Sequence, residues 1–539
     1  MKKILKKIFL PAMLMGSLAS CHKVDVPIRT ELTPDVFPQN PSQFIQASGP
    51  AYAALRGNYA LDYSFMQSLS TDESILPARG GNWYDNQNYL MLHYHSWNKD
   101  HGNTGGAWYW LSVTIGTTNQ ALSILDQTMP EGASKQSTLA ELKMVRALAY
   151  YMMMDLYGNV PIITTYGDFT PKANSTRKEV FNFIESEVKA ALPYLSAASD
   201  VSTYGRANQW TAHALLAKMY LNAEVYTGTP RLEDCIAACD KVIGSGLYAV
   251  EPRNTYLKMF YPNNGPSMKE FIFAIPYDPA FTGLPGTNGF MYHARYDVPR
   301  SMRNRFSLPY TPGAPRSTVP EFYANFNDPN DIRNNQWLTG LQYNYNGTPV
   351  TVTTTKKGYD QFYTGADGGA SYTYQVNLTP NIVLRQSVSA FDLGNDEIAW
   401  NMGYRNIKFY PDSTSTNRNQ ANDMPFLRYS DILLMKAEAI QRGGTATQGH
   451  TAVSLVNMVR SQRTTSPALA AVTLEDIYKE RNREFAMENW HRNDMIRFGK
   501  FEGSWGFKTD ASPHKRIFPI PTSAMALNPA LKQNPGYEQ

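Results

Sequence analysis

Cysteine is scarce in this chain. Cys21, Cys235 and Cys239 are all that 539 residues contain. Cys235 and Cys239 stand i,i+4 on a helical pattern, where Cβ atoms lie about 5–6 Å apart. A disulfide wants about 3.5–4.5 Å, so the two read as small buried apolar residues. A chain this long needs no covalent staples to hold a core. Catalytic signatures are missing as well: there is no H-E-x-x-H, G-x-S-x-G, P-loop or G-x-G-x-x-G. His93 and His95 are spaced i,i+2, which suits a strand face and not a helical metal pair. No metal and no cofactor is expected. Beyond the N-terminus no uncharged apolar run approaches the roughly 20 residues of a membrane span.

What the N-terminus does contain is Lys2, Lys3, Lys6 and Lys7, an uncharged stretch over 8–20, and Leu-Ala-Ser-Cys ending at Cys21. This reads as a secretory signal. The small residues before a cysteine resemble a bacterial lipobox, which makes Cys21 the expected acylated N-terminus. The plainer alternative is an ordinary signal with a chance cysteine. Removing residues 1–20 takes away four lysines and no acid, which leaves 46 basic and 46 acidic residues. A neutral chain has no global field for nucleic acid.

Residues 22–40 are Pro-rich and aperiodic, an extended leader. Helical patterns follow at about 41–57, 106–127, 137–157, 178–195, 208–226 and 232–244. In 137–157 the stripe is Val145, Ala149, Met152 and Leu156. From about 246 to 427 Gly, Pro, Asn, Thr and Tyr dominate, with KEFIFAIPYD as a strand. Helices return at 428–442, 448–463 and 474–489. The expected fold is mainly α: a tetratricopeptide-like helical-hairpin scaffold with an inserted loop-rich lobe containing short strands. Its parts are a signal (1–20), an N-terminal helical part (21–245), the lobe (246–427) and C-terminal helices with a tail (428–539), the last three forming one domain.

Several segments together resemble the SusD/RagB family. They are AELKMVRALAYYMMMDLYGNVPIIT (140–164), YGRANQWTAHALLAKMYLNA (204–223), RYSDILLMKAEAI (428–440), VNMVRSQR followed by IYKERNREFAMENWHRNDMIRFGKF, and the tail FPIPTSAMALNPALKQNPGY. The resemblance implies a lipoprotein on the outer face of a Gram-negative outer membrane. It also implies a TonB-dependent SusC-like transporter as partner and a glycan as ligand, with peptide as the alternative inside the family. A glycoside hydrolase is the rival from another class. It needs two carboxylates about 5–9 Å apart, and the sequence offers no positive sign of them. Arg428, Asp431, Glu438, Glu480, Arg481, Glu484, Asp494 and Arg497 read as helix-packing ion pairs, since buried charges must be paired.

Ligand-binding candidates concentrate in residues 70–103. PARGGNW is turn chemistry, so the rings after it sit on a loop. Sugars pack C–H faces on aromatic rings and need planar polar groups for their hydroxyls. Asp72, Arg79, Trp83, Tyr84, Asp85, Asn86 and Trp97 supply that mixture. Trp83 is expected as the main platform, with Arg79 and Asp72 beside it; the bland reading is that Trp83 and Trp97 only pin the loop to the core. Tyr292, Tyr296, Trp337, Tyr343 and Tyr345 are candidates in the lobe, paired with the loop because family ligands lie between the two. Trp108 and Trp110 read as core.

Overall fold

The computed structural model describes residues 36–280, 291, 293–355, 371–385, 387–416 and 418–538. Cys21 and Tyr292 lie outside them. The chain opens with α1 (Pro41–Arg56) and α2 (Asp62–Ser68), then α3 (Asn88–Tyr94). α4 (Gly102–Thr128) and α5 (Ala133–Tyr157) form the longest hairpin, followed by α6 (Arg177–Ala191), α7 (Gln209–Leu221) and α8 (Leu232–Gly244). After the lobe come α9 (Tyr429–Gln441), α10 (Ala452–Arg460), α11 (Leu474–Phe485), α12 (His491–Arg497) and α13 (Thr522–Leu527). α4 packs on α1 and α5, α5 on α6, α7 on α8, α8 on α9, and α9 on α10. This is a mainly helical array of tetratricopeptide-like hairpins.

The helices start where the sequence supplies caps. Thr176 with Glu179, Asn208 with Thr211 and Thr473 with Asp476 each close a reciprocal capping box, which satisfies otherwise orphaned backbone donors. The 3.6-residue stripes then turn inward: Val145, Ala149, Met152 and Leu156 are fully buried, as is Trp110. His93 and His95 are not on a strand. His93 sits in the last turn of α3 and His95 is its left-handed C-cap; burial pushes both imidazoles down, His93 to about 3. Cys235 and Cys239 are free and buried.

Two ion networks tie the C-terminal helices together. Glu484 accepts from Arg333, Arg428 and Arg463 at 3.0, 2.9 and 2.9 Å. Asp431 joins Lys218 of α7 to Arg481 of α11, and Arg481 continues to Asp494. Arg497 then closes on Glu438 at 2.7 Å. All of these side chains are buried.

The lobe hangs from this frame by one antiparallel pair, β1 (Phe271–Ile275) against β4 (Met424–Arg428), and β4 runs straight into α9. Between them β2 (Thr351–Thr354) pairs with β3 (Tyr372–Gln375). Small apolar clusters fill the lobe, one built on Val298, Phe306 and Leu378 and another on Phe322, Phe326 and Trp337.

Candidate functional site

The segment after α2 threads through the interior and surfaces at Gly80. Ile75 bridges to Ser317 and Ala78 to Asp392, both in the lobe. Asp392 accepts from the Gly80 and Gly81 amides at 2.8 Å each, and both glycines have positive φ. The exposed stretch that follows is contorted: Trp83, Asp85, Asn86 and Gln87 all have φ between 42° and 67°. A bulky residue at positive φ is an outlier that surrounding structure must hold in place. Trp83 is held edge-to-face on Tyr296 with centroids 5.6 Å apart and seated on Gly313. A Cβ at Gly313 would come within 2.6 Å of the Trp83 ring. Half of the indole stays open, beside exposed Tyr84, Asp85 and Asn86.

The early loop and the lobe therefore meet, but several expected ligand residues face inward. Arg79 is fully buried. It donates to the carbonyls of Ala399 and Pro315, and burial together with Arg405 depresses its pKa well below the usual range. It staples the loop to the lobe from the interior. Trp97 is 1% exposed; it packs on Phe518 and donates from Nε1 to the Tyr537 hydroxyl at 2.8 Å. Trp337 lies among Phe322, Tyr323 and Phe326. Tyr296 is buried under Trp83 and against Phe65. Asp72 pairs with His491 of α12. Tyr343 and Tyr345 are exposed on a lobe hairpin, and the Tyr345 hydroxyl meets that of Tyr410.

A residue absent from the sequence expectations lines a cleft of the lobe. Trp400 lines a cavity of about 640 Å³ with Arg300, Ser301, Tyr374, Asn395, Glu397 and Asn401. It belongs to the short helix Glu397–Asn401, whose N-cap Asp396 accepts from the Ile398 and Ala399 amides. Three contacts fix the indole and one its backbone: Nε1 donates to Asn395 at 2.8 Å, Arg79 lies 5.5 Å and Arg300 4.4 Å from the ring, and the Trp400 main-chain carbonyl accepts from Arg405 at 3.0 Å. Arg79 thus touches both halves of the site, the Gly80–Gly81 turn by sequence and the Trp400 helix by its side chain. Asp396 is bound by Arg385 as well as by its helix. The cleft offers an apolar ring face flanked by amides and charged groups, a composition suited to a polyhydroxylated ligand. Among the described residues there is no cluster of three or more metal-ligating side chains, and no helix long and apolar enough to cross a membrane.

Comparison with known proteins agrees over nearly the whole length. Residues 213–537 match the family model described as SusD family, and residues 56–221 match one described as starch-binding associating with outer membrane. The starch-binding protein SusD of Bacteroides thetaiotaomicron is 26% identical over 499 residues, covering 87% of this chain and 84% of that one. Surface glycan-binding protein A from Bacteroides fluxus superposes with a TM-score of 0.72 at 18% identity, over 93% of this chain and all of that one. Its counterpart from Bacteroides thetaiotaomicron, solved with laminarihexaose, gives 0.68 at 19% identity over 92% and 99%. At these identities the superpositions establish a shared fold.

Proposed function

The chain belongs to the SusD family, and from that premise we propose that it captures glycan at the outer-membrane surface and passes it to a SusC-like TonB-dependent transporter. The observation that carries this reading is Trp400, a partly exposed indole held by Asn395, Arg79 and Arg300 at the edge of a ligand-sized cleft. An indole held rigid loses no freedom when a sugar ring stacks on it, so its contact area converts efficiently to affinity. Trp83 and Tyr84 supply a second open aromatic station where the early loop meets the lobe.

The role is binding and not hydrolysis. Of the two acids that line the cleft, Asp396 and Glu397, Asp396 is bound by Arg385 and by two backbone amides. The starch-binding and glycan-binding relatives point the same way.

Titration calorimetry with a panel of neutral and acidic oligosaccharides and mixed peptides tests the reading. Trp400→Ala should weaken the bound glycan about ten- to a hundredfold with folding retained. Selective binding of peptides, or unchanged glycan affinity in Trp400→Ala, would refute it.

A further inference from the structure

Outside this face, the buried arginines of the frame, such as Arg333, Arg428, Arg463, Arg481 and Arg497, are matched to carboxylates. The segment 295–305 departs from that pattern. It carries Arg295, Arg300, Arg303 and Arg305 against a single acid, Asp297, and Asp297 is taken by Arg316 through two bonds of 2.6 and 2.7 Å. Arg303 is occupied by the carbonyls of Leu308 and Pro309. The other three lie over aromatic rings: Arg295 5.9 Å from Trp83, Arg300 4.4 Å from Trp400 of the cleft and Arg305 5.5 Å from Tyr345 of the lobe hairpin. Among the described residues neither Arg300 nor Arg305 has a carboxylate within ion-pair distance, and Arg300 is exposed.

This geometry has a chemical meaning. A guanidinium stacked on a ring uses its flat face and keeps its N–H edge for a partner in the plane. Such an edge is the donor pair that a carboxylate or a sulfate accepts in bidentate fashion. Arg305 gives one bond to Gln342 at 3.1 Å and keeps further donors. Two such cations on one segment, each beside a ring that could hold a sugar, present alternating stacking surfaces and anion forks. In the cleft, Asp396 is neutralised by Arg385, and Glu397 and Arg300 also line it.

We infer that the glycan taken by this site is acidic, bearing uronate carboxylates or sulfate esters that Arg300 and Arg305 read while Trp400 and Tyr345 hold the sugar rings. The inference rests on the glycan-binding reading and narrows it to a class that the starch- and laminarin-binding relatives do not share by name.

Affinity electrophoresis and calorimetry with four probe pairs test it. Oligogalacturonides are compared with their carboxyl-reduced forms, alginate oligosaccharides with theirs, chondroitin sulfate with chondroitin that is both desulfated and carboxyl-reduced, and laminarin with carboxymethyl-laminarin. The expected result is binding of at least one acidic member, with its neutralised partner weaker by about ten- to a hundredfold. Whether reduction or desulfation abolishes binding identifies the anion as carboxylate or sulfate. Arg300→Met should lose the same factor for the acidic probe and Arg300→Lys a smaller part of it, because lysine keeps the charge without the fork. Equal binding of acidic and neutral partners, or an Arg300→Met variant that still prefers the acidic one, overturns the inference and leaves the glycan reading standing. Binding of no glycan at all, with Trp400→Ala indistinguishable from the parent, overturns both.

Discussion

At the residue scale, Trp83 carries two opposed demands. Its ring is useful only if it is held still, and it is held by Tyr296, Gly313 and Arg295. Its backbone is at φ 66°, where a residue with a Cβ is disfavoured by about 1–2 kcal/mol. Trp83→Ala therefore loses the ring and keeps the strain, whereas Trp83→Gly loses both. Glycan affinity should fall about tenfold or more in each variant. Chemical denaturation should find the glycine variant more stable than the alanine variant by about 1 kcal/mol. Equal stabilities would mean that the loop relaxes out of the left-handed region once the indole is gone. An unchanged affinity would mean that Trp83 only pins the loop, the blander of the two readings its sequence allows.

At the scale of elements, the C-terminal helices are held by buried charge, and their pH dependence follows. Glu484 is desolvated, which alone would raise its pKa, but Arg463, Arg428 and Arg333 outweigh that and hold it well below the ordinary range; Glu480 is held at about 2 by Arg333 and Arg483 against the same opposing burial. Depressed carboxylates stabilise the fold above the unfolded value near 4.3 and lose that contribution as pH falls toward the folded value. Thermal melts should therefore show stability declining between about pH 4 and pH 2. Glu484→Gln, which takes one carboxylate from three buried guanidinium groups that keep Glu480, Glu488 and Glu270 as partners, should cost about 3 kcal/mol at neutral pH. His491 has the opposite sign. Burial opposes its charge, yet Asp72 prevails and the imidazole is raised above its ordinary value. Its contribution is complete below about pH 6.5 and fades as pH rises through the folded value. His491→Asn should flatten the alkaline side of the melting profile; an unchanged slope there would show that the Asp72 pair contributes nothing measurable. These networks were legible in the sequence because the charges sit on strongly periodic helices, where a charged residue on an apolar face must have a partner. The binding face was less legible. Arg79, Trp97 and Trp337 look like loop residues locally, but their partners Ala399, Tyr537 and Phe322 come from distant segments or from the lobe's own core. Trp400 went unnoticed because a five-residue helix inside an irregular stretch leaves no periodic signal. Its clue was the Asn-Asp-Glu run before it, an N-cap followed by a short amphipathic turn.

At the scale of the whole molecule, the question is what keeps a neutral chain at a membrane. Without residues 1–20 the sequence has 46 charges of each sign, so headgroup electrostatics contribute no net attraction. No helix among the described residues is able to span a bilayer. We propose a lipid on Cys21 as the attachment, with a protein partner as the alternative, and the two respond differently to perturbation. Each buried methylene contributes about 0.8 kcal/mol, so a single chain is marginal while two or three hold firmly and are indifferent to salt. In cells making the full chain, the protein should stay in the membrane fraction through a high-salt wash and leave it in detergent. Cys21→Ala should appear in the soluble fraction, and mass spectrometry of the parent should find a mature N-terminus at Cys21 with added acyl mass. If Cys21→Ala stays bound through the salt wash, a protein partner carries the attachment and the lipid is dispensable. If the mature terminus lies elsewhere, Leu18-Ala19-Ser20-Cys21 is an ordinary cleavage site with a cysteine beside it by chance. The fold itself is indifferent to the result, because α1 begins at Pro41, some twenty residues beyond the anchor. By sequence that spacing is a Pro-rich stretch whose length, fully extended, is at most about 70 Å.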